Sequence, residues 1–404
     1  MKFLKNLSRR QARRRYKIGY YRKRILNQLK NNKRKIIMAL VAVLLAAVLL
    51  IVLLSLPKNE SEVEESPAPT ISSEEIDISD AGVELVLSYK SINNPYIYGQ
   101  EIVFSCGEAN KMNPDLKYVS VVDLTKEDTP TTQLEGIECK FSNLFMPEIS
   151  DNWIVYIDSN SSGGGRICLY DREAKETYSL RTYYYAMPKV CLSGDFAVYA
   201  VQTGINSDKI YLCYLPTQET VLIDQLSTDL YSLGGIYING NELVWSTLSR
   251  DDSDAVKQSV VKRLPLNGSA TKASEFEPGS LVYSPKTYGN YVAFLDGNGI
   301  DGSRLMISDG TNVAKSIDTG VINFDVGNGF IVYTKQETLH VYFIDQGITA
   351  TLTSKNSRGL LSSASGDYVC WYDITDGFFE RDVVNYAKIT VPQIDTEEDS
   401  DAQE

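Results

Sequence analysis

Two hydrophobic patterns divide the chain. Ile36 to Leu56 (IIMALVAVLLAAVLLIVLLSL) runs for twenty-one residues without a charge, enough at ~1.5 Å per residue to cross a ~30 Å hydrocarbon core. Beyond residue 82 the apolar positions come in short runs between polar turns, and one phrase recurs. Its copies are YGQEIVF (98–104), SDNWIVY (150–156), SGDFAVY (193–199), NGNELVW (239–245), YGNYVAF (288–294), GNGFIVY (327–333) and SGDYVCW (365–371). Each is a tight turn feeding a short strand that ends on an aromatic: Phe104, Tyr156, Tyr199, Trp245, Phe294, Tyr333 and Trp371.

Successive aromatics stand 52, 43, 46, 49, 39 and 38 residues apart. Pro95, Pro147 and Pro285 fall nine residues before their aromatic and Pro188 eleven before, where Pro suits the first position of a strand. Polar loops follow, then further strands such as YVSVVD (118–123), RICLYD (166–171) and RLMISD (304–309). A period of ~40–50 residues with about four strands per unit is that of a propeller blade. The continuously apolar interiors fit sheets covered on both faces. The expected fold is therefore all-β, a seven-bladed β-propeller over residues 83–391, with six or eight blades as alternatives, behind a single N-terminal transmembrane helix. VELVLSYK (83–90) is expected to pair with VVNYAKITV (383–391), completing the last blade and joining the ends.

Charge sorts the remaining segments. Residues 1–35 hold fifteen Lys/Arg and no acid, although the whole chain carries −12. A basic tail before an uncleaved signal anchor at 36–56 keeps the amino terminus cytoplasmic and sends the rest outside. Tyr16, Tyr20 and Tyr21 lie among the arginines, but contact with anionic lipid is expected there rather than nucleic acid. Residues 57–82 (eight acids, three Pro) and 392–404 (six acids) read as disordered spacer and tail.

The unit SPKTYGNYVAFLDGNGIDGSRLMISDG (284–310) resembles the repeats of TolB-like and related propellers of bacterial envelope proteins. That resemblance covers roughly 83–391 and implies a binding or scaffolding ring at the cell envelope, with an extracytoplasmic protein or glycan as ligand. Alternatives are a sensor signalling through the basic tail and a carbohydrate-active enzyme.

Catalysis is not expected. The only His, His340, sits in an apolar strand without a G-x-S-x-G partner motif. Sialidase-type boxes are missing, although Arg166, Arg304 and Arg381 fall in or near equivalent loops. Six cysteines with no C-x-x-C spacing read as reduced, mostly buried thiols. Ligand contacts are expected in the long polar loops after the anchor aromatics and in exposed aromatic runs. The candidates are Tyr183, Tyr184, Tyr185, Asp251, Asp252, Asp254, Asp296, Asp301, Phe378, Phe379 and Arg381. No cofactor is expected; calcium is the one considered, at Asp296, Asn298 and Asp301 or at Asp251, Asp252 and Asp254, although the first group departs from EF-hand spacing.

Overall fold

The computed structural model describes residues 76–392, apart from short stretches of which the longest are 109–114, 251–255, 267–271, 298–302 and 376–382. Two compact units divide the chain near Ser72 and Ser73, and all described residues belong to the second. Among the described residues, regular structure is strand apart from one short 3-10 turn.

The seven anchor aromatics sit on the second strand of their units, and every one is buried. Each is the hub of a separate apolar cluster. Tyr156, for example, packs with Val103 and Val121 of the preceding sheet, and Tyr199 with Val155 and Ile157. Bulk on both faces of each sheet explains why the strand interiors are apolar throughout rather than alternating.

Hydrogen bonding groups the strands differently from the sequence phrases. Four-stranded sheets cover residues 91–133, 143–183, 189–227 and 231–276, and a fifth joins 359–388 to Val83–Leu85. The phrases around Phe294 and Tyr333 share a single eight-stranded sheet. Its strand Ala314–Val326 pairs through its first part with Ser303–Ser308 and through its second with Phe330–Lys335, turning at Gly320 (φ +76°) without leaving the ladder. The expectation of seven separate blades, with six or eight as alternatives, is thereby corrected: five four-stranded blades are discrete. An uninterrupted backbone ladder replaces the break that the spacing implied.

The transmembrane helix expected at Ile36–Leu56 is not shown by the structure. Among the described residues no helix is long and apolar enough to cross a membrane, and Ile36–Leu56 lies outside them.

Side-chain bonds carry each sheet to the next, and the last returns to the first: Ser150 Oγ donates to Gly194 O (2.9 Å), and Ser363 Oγ accepts Ile97 N (2.7 Å). Val83–Leu85 runs antiparallel to Val383–Lys388, with Glu84 opposite Asn385, and closes the ring. Just ahead of it, Ile76–Asp77 adds in parallel to the outer edge of the eight-stranded sheet, and Ser79–Ala81 forms the 3-10 turn. Residues 76–82, expected within the acidic spacer, are thus part of the fold. Ile76, Ile78 and Ala81 supply apolar contact there.

The recurrent turns follow hairpin chemistry. Gly99, Gly194, Gly289 and Gly366 each open a two-residue turn with φ of +54° to +57°, where glycine is the low-cost choice. A Cβ added at Gly366 meets nothing within 4 Å. Gly366→Ala should therefore lower stability by about 1 kcal/mol through conformation alone, read as a shifted denaturant midpoint at constant slope.

Candidate functional site

The innermost strands of the sheets surround a central channel, and their prolines shape its wall. Pro95, Pro147 and Pro285 lie inside these strands rather than at their starts. Each is preceded by a residue with left-handed backbone, Asn94 (φ +47°), Met146 (φ +49°) and Ser284 (φ +50°), and the pairing register shifts there. An innermost strand has one unpaired edge, so the missing proline N–H breaks no ladder, and the bulge re-aims the next side chain inward.

That next position defines a belt. Tyr96, Glu148, Cys191, Tyr237, Lys286, Asp325 and Ser363 each stand eight residues before an anchor aromatic. The first six line one cavity of about 460 Å³, together with Met146, Met187, Pro188 and Lys189. Ser363 instead accepts Ile97 N.

Belt residues also staple neighbouring inner strands. Glu148 Oε2 accepts Leu192 N (2.7 Å), Cys191 Sγ approaches Ile236 O (3.6 Å), and Asp325 Oδ2 accepts Ala364 N (2.8 Å). Lys286 Nζ lies 2.5 Å from Asp325 Oδ1 and 5.4 Å from the centre of the Tyr237 ring. Burial pushes the Glu148 carboxyl up to about 8, against the Leu192 bond and the Lys286 charge, while Asp325 raises it further. Burial also holds the Cys191 thiol and the Tyr96 and Tyr237 phenols well above their ordinary ranges, with Glu148 the leading charge acting on Cys191 and Tyr96 and Asp325 on Tyr237. Desolvation beside the cavity lowers Lys189, although the residue is exposed, and it donates to Gly234 O at 3.4 Å.

The sequence-derived candidates that the structure describes are not among the residues lining this cavity. Tyr184 is 78% exposed, and with exposed Tyr185 and Met187 it forms the connection leading to the cavity, whereas Tyr183 is buried. Asp296 accepts Leu281 N (3.0 Å) and pairs with Arg304. Asp158 holds Arg166 at the corresponding strand positions of its own blade and accepts Lys140 N and Phe141 N. Both acids therefore secure the chain entering their sheet, and Arg166 and Arg304 are each engaged with a neighbouring acid instead of converging on a ligand. Asp251, Asp252, Asp254, Asp301, Phe378, Phe379 and Arg381 lie outside the described residues, as does Asn298. Among the described residues no group of His, Cys, Asp or Glu has metal-site geometry. His340 stacks on Tyr333, ring centres 5.3 Å apart. The six cysteines are free thiols, and burial lifts Cys370 and Cys168 to about 12.

The belt carries no sequence phrase because its chemistry varies from copy to copy. The usable signal was positional, the residue directly after Pro95, Pro147 and Pro285.

No family model matches the chain. No curated protein matches it. Among solved structures it is similar to the β-propeller domain of the trilobed protease from Pyrococcus furiosus, with 11% identity and a TM-score of 0.53 over 76% of this chain and 97% of that one. It is similar also to the acylaminoacyl peptidase of Pyrococcus horikoshii, with 14% identity and a TM-score of 0.50 over 71% of this chain. The match spans about half, 49%, of that peptidase. A TolB from Acinetobacter baumannii matches at 13% identity and a TM-score of 0.39 over 60% of each chain. At these identities the likeness is one of fold: the chain carries a β-propeller domain.

Proposed function

We propose that this chain is a membrane-anchored, extracytoplasmic binding module, without catalytic activity of its own, that takes part of an envelope protein or glycan into the mouth of its propeller channel. The observation that supports this reading is the cavity of about 460 Å³, with largely apolar walls, a few convergent polar groups and Met146 and Met187 among its lining residues. Such a combination is typical of ligand sites. Tyr184 and Tyr185 add exposed aromatic area on the connection that reaches the cavity wall at Met187. The anchor and the outside location rest on the Ile36–Leu56 run and its basic flank.

A photo-crosslinking residue placed at Tyr185 in the full chain, in cells, is expected to capture a discrete partner. The same residue at Val221, exposed on the strand Glu219–Ser227, should not. Equal capture from both positions, or only bulk surface protein from Tyr185, contradicts the channel-mouth reading.

A further inference from the structure

Resting on the channel reading, we infer that the belt is a receptor for a primary ammonium group on an aliphatic stem, with Glu148 as its counter-ion. Three observations lead there. The belt holds two carboxylates and one lysine, and Lys286 is already committed to Asp325 at 2.5 Å. Glu148 has no ion-pair partner among the described residues; its one hydrogen bond there uses Oε2, from Leu192 N. Around it stand Tyr96, whose ring suits a cation, and Tyr237, whose ring already faces Lys286 Nζ, with Met146, Met187 and Pro188 lining the same cavity to cover an alkyl stem.

A half-buried carboxyl desolvated by the cavity wall, with its nearest lysine committed to Asp325, keeps its proton until a cation arrives. The arriving ammonium then forms the pair that Glu148 lacks, and the proton leaves to solvent. The other titratable groups facing this position are Tyr96, Cys191, Tyr237, Lys286 and Asp325, with Lys189 lining the cavity. Tyr96, Cys191 and Tyr237 are held in their neutral forms by burial, so they do not compete as counter-ions. Lys189 is the competing cation, and its lowered affinity for a proton acts in the same direction with rising pH.

The test is calorimetric titration of the full chain at pH 7 and pH 9 with n-pentylamine and with acetyl-Gly-Lys-Gly-amide. Their neutral counterparts are 1-pentanol and acetyl-Gly-norleucine-Gly-amide. With Glu148 poised near 8, its ionised fraction rises about tenfold over this interval while an alkylammonium stays mostly charged. Amine affinity should therefore rise about tenfold, while the neutral probes stay weak and pH-independent. Glu148→Gln retains an acceptor for Leu192 N and should remove the rise, costing at least tenfold in affinity at pH 9. Binding of both amines assigns the site to the alkylammonium itself; binding of the peptide alone assigns it to a lysine within a protein segment.

Equal binding of amine and neutral probe, or amine binding flat with pH in the native chain, overturns the ammonium assignment. So does failure of every probe to bind. In each case capture at Tyr185 still decides the channel reading separately.

Discussion

Glu148→Gln is expected to stabilise the chain at pH 8 and to leave its stability unchanged near pH 4. The carboxyl is raised from 4.5 to about 8 in the fold, chiefly by burial. Below 4.5 it is neutral in both folded and unfolded chains, and the fold pays nothing for it. Between 4.5 and 8 the unfolded chain releases a proton that the fold retains, so stability present at acid pH is lost as pH rises through this window. The full shift corresponds to a ceiling of about 5 kcal/mol, which a channel open to solvent reduces to about 2–3 kcal/mol. Glutamine removes the titration while keeping an acceptor for Leu192 N. Unfolding free energies of the native and variant chains at pH 4, 6 and 8 should diverge steadily, and the remaining titrations are common to both. A constant difference across this range means that Glu148 is an ordinary solvated carboxylate.

This carboxyl also marks where the sequence stops being legible. The anchors could be read because their physics repeats: Phe104, Tyr156 and the rest are large, buried, and set behind a turn with little freedom of composition. The closing strand could be read for a related reason, since a lone strand at each end leaves two edges to satisfy. At the belt the position repeats and the chemistry does not. Tyr96, Glu148, Cys191 and Lys286 share an inward direction set by backbone, which composition does not record. The prolines held the clue, because Pro95, Pro147 and Pro285 mark bulges on strands with a free edge. Asp296 misled in the opposite sense. Its acid-rich loop drew attention to cation binding, whereas its side chain is engaged with Arg304 and Leu281 N. The two phrases join into one sheet at Gly320 and Val321, where the glycine reads as a turn although Val321 pairs with both neighbouring strands.

Leu85→Asp is expected to open the ring, with a loss of about 3–5 kcal/mol. Leu85 is 2% exposed, on the three-residue strand that completes the last blade, and packs with Phe104, Ile102 and Val384 in the cluster between the last and first blades. A carboxylate there is buried without a partner, and so short a strand has little pairing to compensate. Val83→Asp, two residues earlier on the same strand and 46% exposed, should change stability by less than about 0.5 kcal/mol. The contrast separates burial from any general intolerance of charge in the strand. A complementary variant, Glu84→Cys with Asn385→Cys, uses the direct pairing of these residues. Oxidised, it closes a loop spanning almost the whole ring, for which chain entropy sets a limit of about 6 kcal/mol. Its melting temperature should rise on oxidation and return on reduction. If Leu85→Asp melts like the native chain, or if the paired cysteines join without effect, closure through Val83–Leu85 does not hold the ring together.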